Sequence, residues 1–152
     1  MTNSPPLAEP RDRAGWMGLL ARADGDLLAR RLRCLDSLPP YTVRRAPQIG
    51  LVMARGRAGA TGDTFNLGEV AATRATLMLE GGIEGHAYVL GRDKTHALNA
   101  ALCDALMQTD AAPRVREAVL QPLHEAEAAR RQAQARKAAA TRVEFFTMTR
   151  GS

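Results

Sequence analysis

The sequence predicts an α+β fold: an antiparallel sheet of about four or five strands, an N-terminal helical hairpin, a helix after the sheet, and a long C-terminal helix followed by an extended tail. Three observations carry the prediction. Apolar residues recur at helical spacing before Pro39 and again after Gly91. Between those points they alternate, in segments separated by glycine. The links between the alternating segments are far too short for crossover helices, which argues against a parallel sheet.

Residues 1–12 are rich in proline and polar groups and read as a loose tail ahead of a single domain over residues 13–152. Trp16, Leu19, Leu20 and Ala23 share one helical face. Gly25 breaks that helix, and Asp26 is a candidate N-cap for a second one carrying Leu27, Leu28, Leu32 and Leu35. Pro39 and Pro40 end the hairpin. Alternation follows over residues 41–45, 49–55, 64–70, 73–80 and 85–90. Asp93 is the candidate N-cap of the next helix, whose stripe is Ala97, Leu98, Ala101, Leu102, Ala105 and Leu106. A further helix starts near Pro113 and is interrupted or restarted at Pro122.

The segment 123–140 has very high helix propensity, yet Leu123 is its only large apolar residue. Such a helix gains little from a core of its own, so it is either solvated or laid against a partner. The last segment, 142–150, holds Phe145, Phe146 and Met148. Read as extended, it is either a last strand of the sheet or an arm that docks elsewhere.

The chain has 152 residues, of which 45% are hydrophobic, 24% charged and only 4% aromatic. That is one domain with a core built from Leu, Val, Met and Ala, thin for its length. The net charge of +5 and a pI near 10 favour anionic partners, among them phosphorylated metabolites, nucleic acid and acidic protein surfaces. Cys34 and Cys103 lie in helical stretches with no paired framework, and both read as small buried residues in a reducing compartment. No signal peptide and no membrane-length apolar run occur, so a cytoplasmic location is expected.

Two strings could carry chemistry. Residues 56–63, GRAGATGD, space glycines so that backbone N–H groups can converge on an anion beside Arg57, although a flexible hairpin loop would have the same composition. The GK[ST] ending of a phosphate-binding P-loop is missing. Residues 91–96, GRDKTH, stand where a strand hands over to a helix, whose N-terminus offers free N–H groups. Arg92 and Lys94 add charge there, and His96 could donate a hydrogen bond or a proton. Alternatively, Asp93 merely caps and His96 is a first-turn residue. His86, His96 and His124 are too scattered for a local metal site, and no metal is expected in this chain. No hydrolase elbow is present either. Aromatic stacking platforms are nearly absent, so no nucleic acid is expected as a partner, and a stand-alone polyanion- or RNA-binding module is kept only as the alternative reading.

Four strings together resemble a known family: TGDTFNLGEVAATRA, GHAYVLGRDKTHA, ALCDALMQ and TRVEFFTMTRG. The Trp16-Met17 pair, Gly50-Leu51-Val52 and Leu120-Gln121-Pro122-Leu123 fit the same pattern. From about residue 13 to the end, the chain is similar to the G-subunit family (PhnG) of the bacterial carbon–phosphorus lyase core complex. The resemblance implies a subunit of a multi-subunit transferase, ribose 1-methylphosphonate 5-triphosphate synthase, acting in phosphonate catabolism. In that setting an alkylphosphonate displaces adenine from MgATP. The implied partners are the H, I and J subunits and the ATP-binding-cassette-type L protein.

The resemblance further implies that the iron–sulfur cluster and S-adenosylmethionine belong to the J subunit, with no cofactor bound by this chain alone. Arg57, Gly59, Thr61 and Gly62 match the family's RxGxTG string; Arg92, Asp93, Lys94 and His96 match GRDKxHA. These eight are the candidate anion or partner contacts, and Phe145, Phe146 and Met148 are the candidate subunit interface. Whether any residue here is catalytic is left open by the sequence.

Overall fold

The computed structural model describes residues 10–57, 62 and 64–150. Its elements in order are α1 (Arg13–Arg22), α2 (Gly25–Leu32), β1 (Tyr41–Arg57), β2 (Thr64–Leu79), β3 (Glu84–Leu90), α3 (Lys94–Leu106), α4 (Ala112–Val115), one π turn (Arg116–Leu120) and α5 (Gln121–Arg150). The fold is α+β, with a helical hairpin first and an antiparallel sheet of order β1-β2-β3.

The sheet has three strands where four or five were expected, because breaks in the alternation are bulges rather than turns. Residues 41–45 and 49–55 form one strand, with register shifts between Val43 and Arg45 and between Arg45 and Gln48. An extra residue in one strand leaves pairing intact on either side while upsetting the period-two pattern. Pro47 sits in the second shift, on an edge strand, where its missing N–H is tolerated. On β2 the pairing likewise runs unbroken through Val70 and Thr73. The β2–β3 turn uses Gly81 (φ 106) and Gly82 (φ 90), in the left-handed region that disfavours any residue with a Cβ.

One sheet face carries Thr73, Ala75, Leu77 and Leu79 from β2 with Gly85, Ala87 and Val89 from β3, all buried. Helix α3 packs on that face, and α1 and α2 pack on α3. Covered by the sheet and by helices, α3 buries almost its whole circumference, from Ala100 to Leu106, and not just the one stripe its periodicity suggested. Leu19, Leu20, Leu28, Leu120 and Leu123 complete the core at 0–1% exposure. Each such side chain stabilises by about 1.5–3 kcal/mol through removal from water.

Local details follow from single residues. Asp24, rather than Asp26, caps α2, its side chain accepting from the Asp26 N–H. Pro122 cannot supply the N–H that would reach the Ala118 carbonyl, and a π turn precedes it. The released Ala118 carbonyl accepts instead from Arg31 Nε at 2.8 Å, which ties α2 to this turn. Beyond Pro122 no proline or glycine interrupts the chain until Gly151. Helix α5 accordingly runs through 142–150, where the sequence suggested an extended tail. Residues 128–141 of α5 are exposed all round.

Candidate functional site

The two candidate strings lie on different parts of the molecule. Arg57 ends β1 and pairs in register with Thr64 at the ribbon tip. Gly59 and Thr61 fall outside the described residues, and Gly62 is part of the bend before β2. The other string begins where the Gly91 N–H donates to the Ala71 carbonyl. Thr64 and Ala71 are seven residues apart on β2, roughly 23 Å of strand. The described end of the first string, at Arg57, therefore stands apart from the second.

The Gly91–His96 corner is built around its own hydrogen bonds. Gly91, at φ 104, turns the chain out of β3. The Asp93 carboxylate accepts from the His96 backbone N–H at 2.9 Å, the N-cap foreseen from the sequence. The buried His96 ring lies 2.7 Å from the Leu20 carbonyl through Nε2. Because a carbonyl only accepts, Nε2 carries the proton. Gly25 closes over this pair, and a Cβ there would stand 3.1 Å from both Asp93 Oδ2 and His96 Cβ. Asp93 thus touches the His96 backbone and not its ring, and the geometry is that of a strut between α1 and α3, not an acid–base dyad. Arg92 and Lys94 are exposed at this corner.

Sequence reasoning missed the most polar place in the interior. Asp104, fully buried on α3, accepts from Arg13 Nε (3.2 Å), Arg13 Nη2 (2.9 Å), Trp16 Nε1 (2.8 Å) and the His86 backbone N–H (2.9 Å). Four donors satisfy one carboxylate and join α1, β3 and α3. The Asp104 hydrogen bond holds the Arg13 guanidinium above its ordinary pKa, against the opposing effect of burial. The signal was present in ALCDALM, where an aspartate interrupts an otherwise apolar helix. A second carboxylate, Glu127, accepts from Arg22 Nε at 2.9 Å and anchors α5 to α1.

Every donor around Asp104 is committed. Arg22 and Glu127 line a cleft together with His124, which holds none of the candidate residues. A cleft lined by Leu35, Leu38, Leu79, Glu80, Leu106 and Arg114 contains none of the candidate residues. Burial, reinforced by Asp104, pushes the Cys103 thiol far above its ordinary range, so it is no nucleophile. Cys34 is exposed, contrary to the buried reading, and is a free thiol. Among the described residues no group of three or more His, Cys, Asp or Glu side chains is placed to hold a metal ion. No helix among them is long and apolar enough to cross a membrane.

Comparison with known proteins supplies what the geometry does not. Residues 11–151 match the family described as phosphonate metabolism protein PhnG. The chain is 46% identical, over 139 residues, to the alpha-D-ribose 1-methylphosphonate 5-triphosphate synthase subunit PhnG of Rhizobium meliloti (strain 1021). That alignment covers 89% of this chain and 86% of the relative. Together with the four resembling strings, which fall within the matched region, these similarities show that the chain belongs to the PhnG family of phosphonate metabolism proteins.

Proposed function

We propose that the chain is a supporting subunit of a ribose 1-methylphosphonate 5-triphosphate synthase, assisting the displacement of adenine from MgATP by an alkylphosphonate. The observation that carries this is the 46% identity, along nearly the full length of both chains, to a relative named as a subunit of that synthase. Physical features agree with a supporting role. The buried carboxylates are consumed by internal donors. Catalysis needs groups that converge on a reacting atom with donors left to spare, and the described end of the first string stands about 23 Å along β2 from the second.

In this reading the companions are the H, I and J subunits and the L protein, in the cytoplasm. MgATP and phosphonate bind to the assembly, and the J subunit holds the iron–sulfur cluster and S-adenosylmethionine. Arg92 and Lys94, with Arg57, Gly59, Thr61 and Gly62, contact substrate anions or a companion. Asp93 and His96 act indirectly by fixing the corner that presents Arg92. Phe145, Phe146 and Met148 lie at a subunit contact on the end of α5.

Adenine release is the readout. The isolated chain, given MgATP and methylphosphonate, should release none, whereas adding it to the remaining subunits should restore release. Turnover by the isolated chain would overturn the proposal. Deleting residues 141–152 should abolish co-purification with the I subunit; unchanged assembly would remove the helix end from the interface.

A further inference from the structure

The β1–β2 ribbon outreaches the rest of the sheet. β3 pairs with β2 only from Ala72 to Met78, while β1 and β2 continue together to Arg57 and Thr64. Seven residues of β1, from Leu51 to Arg57, lie past the Gly50–Ala72–Leu90 row, roughly 20 Å of two-stranded ribbon. A two-stranded ribbon without a covered face is marginal in water.

Its side chains are apolar on both faces. Opposed residues in an antiparallel pair share a face, which groups Ile49, Leu51 and Met53 with Thr73, Ala71 and Glu69. Val52 and Val70 project to the other side, continuous with Leu90 and Tyr88 through the rows of Ala72 and Arg74. Leu51 is 61% exposed, Met53 51%, Val70 38% and Leu90 69%. A continuous apolar run such as Ile49–Met53 is the pattern of a strand covered on both faces, yet Leu51 and Met53 on one face and Val70 on the other stay exposed in this chain.

Charge selects the occupant. Past the Gly50 row the described charged side chains are Arg55 and Glu69, one of each sign, while toward the base of the ribbon Arg44, Arg45 and Arg74 are exposed. A second copy of the chain would set those basal arginines against one another, whereas an acidic rim around the base would complement them. Arg44, Arg45 and the bulges around Pro47 obstruct strand addition along the proximal outer edge of β1.

We infer that the distal β1–β2 ribbon is a tongue seated in an apolar, acidic-rimmed groove of a companion protein subunit. The inference rests on the subunit reading and names the surface through which it operates. It is distinct from the α5 end.

The test is co-expression of the full chain with the remaining synthase subunits, purified through a tag on a companion. Leu51→Asp and, on the opposite face, Val70→Asp should each weaken association by about 30-fold or more, the size of an interface hot spot. The isolated variants should keep the wild-type circular dichroism spectrum and melting temperature. If an aspartate variant unfolds, Leu51→Ser and Leu90→Ser take its place. Arg55→Glu should slow association and flatten its salt dependence. Wild-type levels of all these variants in the assembly overturn the ribbon inference and leave the subunit reading standing. Absence of the wild-type chain from the assembly sinks the subunit reading itself. A concentration-dependent dimer of the isolated chain that Leu51→Asp dissolves would put a second copy on the ribbon. RNA binding that Arg55→Glu abolishes, with assembly intact, would assign the ribbon to nucleic acid. Either result contradicts the proposal.

Discussion

The body of the molecule and its two projections use their residues in opposite ways. In the body, α1, α2, α3 and the proximal sheet bury most of the leucines they hold and pair the buried carboxylates Asp104 and Glu127. The distal ribbon exposes Leu51, Met53 and Val70, and residues 128–141 of α5 are solvated on every side. Conformational entropy opposes folding at about 1–2 kcal/mol per residue, and only burial offsets it. The body achieves that offset internally. The projections bury less, and the companion contacts proposed for them would supply the difference.

The largest effect that would sharpen this contrast is expected at Asp104. Asp104→Ala removes the acceptor for Arg13, Trp16 and the His86 N–H together. Arg13, 44% exposed, can re-solvate, but leaving the Trp16 and His86 donors unsatisfied should cost about 3–5 kcal/mol. Urea denaturation measures it, and a loss below about 1 kcal/mol would mean that the network does not organise the body. Gly85→Ala comes next. A Cβ there collides with the Ala101 carbonyl and stands 2.8 Å from Ala105 Cβ. Separating β3 from α3 should cost at least about 3 kcal/mol, whereas Gly50, with open space around it, should accept alanine with a change within about 0.5 kcal/mol.

Glu127 lies where body and projection join. Glu127→Ala releases Arg22 and should cost about 1–2 kcal/mol, with Arg22 half exposed and able to re-solvate. Helicity measured by circular dichroism should then fall more than the midpoint shift alone explains, because α5 loses its anchor. The smallest effect concerns the thiols. Cys34 should react with a thiol reagent in the folded chain, and Cys103 only on unfolding. Because unfolding frees Cys103 to lose its proton, stability should decline as pH rises through the ordinary thiol range. Cys103→Ala should remove that slope.

The fold class was legible because apolar spacing reports burial directly, and the Asp93 cap and helical hairpin were read for the same reason. Strand count was misjudged where Arg44 and Pro47 create bulges, since an extra residue shifts the period without ending the strand. Segment 142–150 was read as extended on its aromatic content, although no helix breaker separates it from the helix before it. The role of His96 was not decidable from its neighbours, because the Leu20 carbonyl that holds it lies 76 positions away. The Asp104 network had a local cue, but its donors come from α1 and β3, and only the tertiary fold assembles them.

Hydrogen exchange on the isolated chain and on the assembled complex tests the division between body and projections most directly. Assembly should slow exchange in residues 49–57, 64–72 and 128–150 while leaving α1, α3 and β3 at their isolated rates. Unchanged exchange in the ribbon and in α5, with new protection confined to the body, would contradict it.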